Sequence, residues 1–260
     1  MSFKKTSAPA VAPQAAAQAA SAASASSSGR IQLPKGFRPQ DVPVLAVDHA
    51  LPKVPDAAQT IAAMRERFER QPVWVPEWVR ESPLPGGTER TPIQAAVLIP
   101  IVARAEPTVL LTRRSAQLKT HSGQIAFPGG RIDPQDADAV AAALREAQEE
   151  VALSAQWVEV IGQLPAYVTG TGFHVVPVVG VIAPDLPLRA NPHEVDEIFE
   201  VPLRFVLDPA NHRHHAYTLG QVQRKWLSMP YMAQGREYFI WGVTASILRN
   251  FYRFMQAPWR

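Results

Sequence analysis

Along the middle of the chain, short apolar runs alternate with polar turns in a pattern that predicts strands around one central helix. Ala95–Val102 (AAVLIPIV) and Thr108–Thr112 (TVLLT) are β-branched runs separated by a polar turn, and they read as paired strands. Gln124–Phe127 reads as a third short strand leading into a Gly-Gly turn at Gly129 and Gly130. Trp157–Leu164, His174–Ile182 and Glu197–Val201 continue the series, the last stopped by Pro202. Val222–Leu227 and Tyr238–Trp241 predict a closing hairpin. Between these runs the period lengthens. Val140, Leu144, Ala147 and Val151 fall, at ~100° per residue, within a stripe about 60° wide, which predicts a helix with that stripe toward the core. Thr244–Met255 predicts a last amphipathic helix, and Ile61, Met64 and Phe68 predict one within Asp56–Arg70. Strands before and after a central helix, with a helix at the end, predict an α/β fold whose mixed sheet lies between helices.

The first third of the chain breaks this pattern. Residues 6–29 are almost wholly Ala, Ser, Pro and Gln, too poor in apolar surface to offset the entropy of ordering, so a disordered tail is expected over residues 1–40. Residues 41–90 read as a proline-rich N-terminal arm with one helix, pinned to the body by Trp74 and Trp78, and residues 91–257 as the globular domain. A chain of 260 residues that is 47% hydrophobic can bury a sizeable core. No run approaches the ~18 apolar residues of a membrane helix. The lack of cysteine excludes disulfides, thiolate-bound zinc, iron–sulfur clusters and a cysteine nucleophile, and fits a cytoplasmic protein. An organelle address in the acid-free tail is the competing reading, weakened by the scarcity of arginine. The net charge of +3 misleads, because Lys4, Lys5, Arg30, Lys35 and Arg38 give residues 1–40 a charge of +5 and leave the body at −2. Such a body is a poor platform for nucleic acid.

The richest chemistry lies in Phe127–Leu153, FPGGRIDPQDADAVAAALREAQEEVAL. Asp133 or Asp136 is expected to cap the helix, since a short carboxylate accepts free N–H groups at the positive end of the dipole. Glu146 and Glu150 then stand one turn apart on the flank of the core stripe, with Glu149 further round and Arg145 placed to orient Glu149 through an i,i+4 pair. Several hard oxygens presented to one spot suit Mg²⁺ or Mn²⁺. A solvated acidic face is the competing reading of the glutamates alone, and the FPGG turn and striped helix before them favour the metal site. Gly129 and Gly130 are either a plain tight turn or a close approach of backbone N–H groups to a phosphate, and the two uses are compatible.

This order of residues resembles the Nudix box: Gly, five residues, Glu, seven residues, then Arg-Glu-apolar-X-Glu-Glu-X-Gly-apolar. REAQEEVAL matches its second half except that Ala152 stands where the pattern has Gly. Asp136 stands where the pattern has Glu, and Gly130 precedes Arg145 by fifteen positions instead of fourteen. Upstream, LLTRRSAQLKTHSGQIAFPGG, from Leu110 to Gly130, resembles the additional signature of the coenzyme A pyrophosphatase branch of that family, with Lys119 in place of its Arg. Gln163–Gly180, Asn191–Leu203 and Ile240–Leu248 resemble further segments of the same branch.

The resemblance implies a Nudix-type α/β/α sandwich. It also implies Mg²⁺- or Mn²⁺-dependent hydrolysis of a small-molecule substrate, coenzyme A or its acyl derivatives, to 3′,5′-ADP and 4′-phosphopantetheine. It places metal on Glu146 and Glu150 with Glu149 assisting, gives Glu149 and Arg145 catalytic roles, and puts Arg114, Ser115, Lys119, Gly123, Gly129 and Gly130 at the substrate. The alternatives are a Nudix hydrolase of another nucleoside diphosphate derivative, such as ADP-ribose or NADH, and an inactive ligand-binding module. Glu194 and Glu197 are either a further ligand or base, or structural carboxylates. His212, His214 and His215 read as a polar loop, His121 beside Gly123 as a residue that could approach substrate, and Thr169–Gly172 as a turn or a loop over the site.

Overall fold

The computed structural model describes residues 36–78, 80, 81, 91–118, 120–219 and 222–258; Lys119 and the low-complexity stretch lie outside them. The proline-rich segment contributes one strand (β1, Val44–Val47) and one helix (α1, Ile61–Arg70). Thr60 caps α1 by accepting the Ala63 N–H. There follow β2 (Ile93–Val102), β3 (Thr108–Arg114), β4 (Ile125–Ala126), β5 (Gly129–Arg131) and α2 (Ala139–Val151). The chain continues through β6 (Val158–Gln163), β7 (Tyr167–Val168), β8 (Phe173–Ile182), β9 (Val195–Pro202) and the short α3 (Leu203–Val206). It closes with β10 (Arg213–Leu219), β11 (Val222–Ala233), β12 (Arg236–Trp241) and α4 (Gly242–Gln256).

β2 is the axis of the main sheet. It runs parallel to β8 over its whole length, from Ile93 opposite Phe173 to Val102 opposite Ile182, while the other pairings are antiparallel. Against β3 it pairs only at Ile101–Val109 and Val102–Thr108. Past those two pairs the strands separate, and the opening is filled by β5 on β2 and by β4 on β3. The Gly-Gly turn is therefore lodged inside the sheet.

Side chains alternate across a strand, so the apolar runs serve two cores at once. Ala96, Leu98, Val102, Leu110, Val178 and Ile182 pack on one face against Ala142, Ala143, Ala147 and Val151 of α2. Ile99, Ile101, Val109, Leu111 and Val179 pack on the other against Met64 and Phe68 of α1 and Leu248, Phe251 and Phe254 of α4. Burial on both faces is why these strands read as continuous hydrophobic runs. The result is the expected α/β/α layering. Among the described residues no helix is long and apolar enough to cross a membrane.

Four expectations need correction. The buried face of α2 is Ala142, Ala143, Ala147, Glu150 and Val151, with Val140 and Leu144 only half-buried at its border. Small alanines let the helix lie close to the sheet and turn Glu150 inward. The cap is Asp138, which accepts the Ala141 N–H at 2.8 Å, because helical dihedrals begin only at Ala139. Val222–Leu227 pairs with β10, and the hairpin to β12 is made by Ser228–Ala233 around Gln234-Gly235. Both turn residues have positive φ, 51° and 74°, as a two-residue hairpin requires. Finally, the histidines are no polar loop. They introduce β10, with His212 and His215 buried and His215 stacked on Trp226 at 5.6 Å.

β1, β10, β11 and β12 form a second, antiparallel sheet. Around it the arm is fastened to α4 by side chains. Trp74 meets Phe254 edge-on at 5.6 Å, and Asn250 accepts the N–H groups of Glu77 and Trp78, each at 3.0 Å. Arg67 donates to the carbonyls of Phe254 and Ala257 at the end of α4. Buried Arg249 pairs with Asp48 and Glu77, each at 2.8 Å.

Candidate active site

The two glycines of the turn each remove a collision. A Cβ on Gly130 would stand 2.3 Å from Oε1 of Glu146, and one on Gly129 would stand 2.5 Å from the Ala96 carbonyl. Glycine here lets a helix carboxylate reach β5 and lets β5 reach β2. The Leu98 N–H donates to the Pro128 carbonyl at 2.9 Å and fixes the turn from the other side.

Arg145 ties the turn to the helix. Its Nε and Nη2 donate to the two carboxylate oxygens of Asp136 at 3.0 and 2.9 Å, and Nη2 also donates to the Arg131 carbonyl at 3.0 Å. Asp136 in turn accepts the Asp133 N–H at 2.8 Å. The two-pronged arginine bond, with that N–H, holds the Asp136 carboxyl below its ordinary range. Nη1 is shared between Glu146 at 3.1 Å and Glu149 at 3.2 Å. The i,i+4 contact to Glu149 is present, but the main anchor of Arg145 is Asp136. The spacing of nine residues, with the intervening turn, gave no local signal for that bond. The surplus residue of this box falls between Asp136 and Arg145, so the spacing from Arg145 to Glu150 is undisturbed.

Glu150 faces inward and is 3% exposed. Burial pushes its carboxyl up to about 8, with Glu146 and Glu194 adding repulsion and Arg114 and the Gly129 amide opposing it. Arg114 Nη1 stands 3.8 Å from Glu150 Oε1. Glu146 is also raised, by burial first, against the pull of Arg145. Glu149 is the exposed member, with 54% of its side chain open. Among the described residues no three His, Asp or Glu side chains converge on one point as they stand, since Glu146 and Glu149 turn to Arg145. The donor chemistry nevertheless fits a hard divalent cation: oxygen donors only, two of them driven toward protonation by burial and mutual repulsion.

The remaining predicted residues are spread around this centre. Ser115 is wholly buried; its N–H donates to the Glu194 carbonyl at 2.8 Å and its hydroxyl accepts the Gln117 N–H at 3.4 Å. Gly123, at φ 69°, returns the loop so that its N–H meets the Arg114 carbonyl at 3.1 Å. Gly123 thereby returns the chain to the end of β3. His121 bonds Gln124 at 2.9 Å. Glu197 is engaged by Arg113 at 2.6 Å, Arg236 at 3.0 Å and the Tyr238 hydroxyl at 2.6 Å, and is a structural carboxylate. Thr169–Gly172 forms a closed turn, with the Gly172 N–H on the Thr169 carbonyl. A separate cavity of about 700 Å³ lies by Lys53, Phe205 and Tyr231, at the Pro202 end of β9 and not among the carboxylates.

A family model described as NUDIX domain matches residues 92–227, just over half of the chain. A protein of Escherichia coli K12 named uncharacterized Nudix hydrolase NudL is 53% identical over 158 residues, covering 60% of this chain and 80% of its own length. The protein of that name from Salmonella paratyphi B matches over the same length at the same identity. Among solved structures, a C. elegans Ap4A hydrolase binary complex is 18% identical with a TM-score of 0.37, covering 44% of this chain and 85% of that one. The Nudix domain of Shewanella oneidensis NrtR complexed with ADP ribose is 20% identical with a TM-score of 0.36, covering 45% and 77%. The profile match and the identity to the NudL proteins, over residues that carry the Gly-Gly turn and the glutamate helix, show that the chain belongs to the Nudix hydrolase family.

Proposed function

We propose that the protein hydrolyses the diphosphate bond of coenzyme A, and of its acyl derivatives, giving 3′,5′-ADP and 4′-phosphopantetheine or its acyl form. The observation that carries the reading is the meeting of its two motifs: Arg114, from the segment resembling the coenzyme A signature, stands 3.8 Å from Glu150 of the box. Glu146 and Glu150 would hold Mg²⁺ or Mn²⁺, with Glu149 assisting. When bound, such an ion neutralises the diphosphate and makes a water molecule acidic enough to attack phosphorus.

The chain's own residues do the rest. Arg114 presents a planar fork that suits a phosphate oxygen beside the carboxylates. The Gly129 amide opposes the rise in the Glu150 carboxyl's pKa, so the turn helps keep that carboxylate charged beside the phosphates. Glu149, the most open carboxylate, takes the proton of the attacking water as its oxygen bonds to phosphorus and the bridging P–O bond breaks. Arg145, fixed by Asp136, keeps Glu149 on the substrate side of the helix.

Coenzyme A, ADP-ribose and NADH, each incubated with the protein and Mg²⁺ or Mn²⁺ and separated by chromatography, test this directly. Coenzyme A is expected to give 3′,5′-ADP and 4′-phosphopantetheine in equal amounts. A preparation that cleaves ADP-ribose and leaves coenzyme A intact sinks the substrate assignment. Glu150→Gln is expected to lose nearly all turnover while still melting cooperatively; wild-type turnover in that variant would remove the metal assignment.

A further inference from the structure

One arginine beside the glycine turn faces no carboxylate among the described residues. Arg131 follows Gly130 in β5, and its carbonyl is held by Arg145. Its exposed guanidinium forms no ion pair among the described residues and stands instead over the ring of Phe173, 5.8 Å from the centroid. Strand register explains the meeting. Ala95 lies opposite Arg131 and Ile93 opposite Phe173, and alternate residues of β2 share a face, so both side chains project from the same side of the sheet. Ile93, 38% exposed, adds apolar surface beside them. Gly130, the neighbour of Arg131, looks the other way, onto Glu146. β5 pairs only with β2 among the described residues, and its consecutive residues Gly130 and Arg131 address the carboxylates and the ring in turn.

The ring is held in place before any ligand arrives. The Phe173 N–H donates to the Thr169 hydroxyl at 3.0 Å, and the Ile93 N–H donates to the Gly172 carbonyl at 2.9 Å. The turn itself is gripped from the arm, where Glu81 accepts the Gly170 N–H at 2.8 Å.

We propose that Arg131 and Phe173 form the platform on which the nucleobase of the substrate stacks, with the guanidinium closing over the base. This rests on the reading of the substrate as a nucleoside diphosphate derivative. Bases stack on aromatic rings and on guanidinium planes alike. A base between the two needs about 7 Å, one contact of roughly 3.5 Å on each side, so the guanidinium has to lift by only about 1 Å. An arginine without an ion pair lifts without breaking one. Every base offers a π-face, so the platform registers that a base is present and leaves discrimination to the group beyond the second phosphate.

Two ligands that share a P–C–P linkage resisting hydrolysis separate the base from the phosphates: α,β-methylene-ADP and methylenediphosphonate. Calorimetric titrations in Mg²⁺ compare the wild type with Phe173→Leu and Arg131→Gln. Each substitution is expected to weaken α,β-methylene-ADP about tenfold and to leave methylenediphosphonate within about twofold. Equal weakening of both ligands, no weakening of either, or a wild type that binds the two alike overturns the platform. Arg131→Gln leaves the core untouched, so the comparison stands even if Phe173→Leu does not fold. Base-dependent binding without coenzyme A cleavage removes the substrate assignment alone, and cleavage without base dependence removes the platform alone.

Discussion

Glu150 occupies a position where a charge is costly. Its carboxyl is pushed from the ordinary range up to about 8 by burial, and the sign of the consequence follows. Below the unfolded value both states are protonated and the residue is neutral to stability. Above it the unfolded chain ionises first, so stability falls with rising pH until the folded carboxyl also ionises near 8. Glu150→Gln keeps the shape and removes the charge. In metal-free protein it is expected to raise the melting temperature by several degrees at pH 9 and to leave it unchanged near pH 4; equal melting at pH 9 would show that the site carries the charge without cost. A carboxylate held at such a cost is consistent with the metal-binding role proposed for it. Ala152 shows a smaller departure of the same kind. It ends α2 in the left-handed region at φ 57°, its N–H on the carbonyls of Ala147 and Gln148, where the box pattern has glycine because glycine alone is free of the Cβ penalty.

At the scale of elements, the sequence was most readable where burial is two-sided. The apolar runs of β2, β3 and β8 stand out because nearly every residue of a strand buried on both faces must be apolar, and the helical spacing of α2 because one face of it must be. Pairing left no such trace: β2 and β3 share only two residue pairs before β4 and β5 part them. β10 was hidden because HRHHAY reads as polar, although His215 buries an aromatic face on Trp226. Gln234-Gly235 was the available signal for the hairpin and outweighs proximity of apolar runs. The cap was ambiguous for a different reason. Asp133, Asp136 and Asp138 are equal by residue type, and only the start of helical backbone decides among them. Their roles are separable by experiment. Asp138→Ala is expected to lower stability by about 1 kcal/mol in urea unfolding with turnover retained. A turnover loss comparable to that of Glu150→Gln would show instead that Asp138 belongs to the site.

At the scale of the whole molecule, the arm and the last helix meet through single polar residues far apart in sequence. Arg249 reaches Glu77 across 172 positions and Tyr252 reaches the Pro52 carbonyl across 200. Contacts of that kind have no period, so no local pattern announced them. Their pH dependence is nevertheless defined. His212 accepts from Arg249 at Nδ1 and meets the Val206 carbonyl through Nε2, an arrangement for the neutral ring alone. Burial, with Arg249 beside it, lowers its pKa to about 4. Its stabilisation is therefore complete above the ordinary histidine range and is lost as pH falls from there through about 4, on the order of 3 kcal/mol. Urea unfolding at pH 7, 5 and 4 is expected to show that loss, and His212→Asn to flatten it; an unchanged slope in the variant would place the titrating group elsewhere.

The fastening of arm to α4 also sets an order of events during synthesis. The core on the α2 side is built from Ala96 to Ile198, all translated before α4 begins. Met64, Phe68 and Trp74 emerge earlier still, yet their partner Phe254 follows some 180 residues later, roughly 10–30 s at ordinary elongation rates. During that interval Trp74 lacks the ring it packs on, while α1 can already rest on β6, where Arg65 pairs with Glu159 and Phe68 lies against Gly162. The half that carries the glutamates can close before the rings of the arm and of α4 meet.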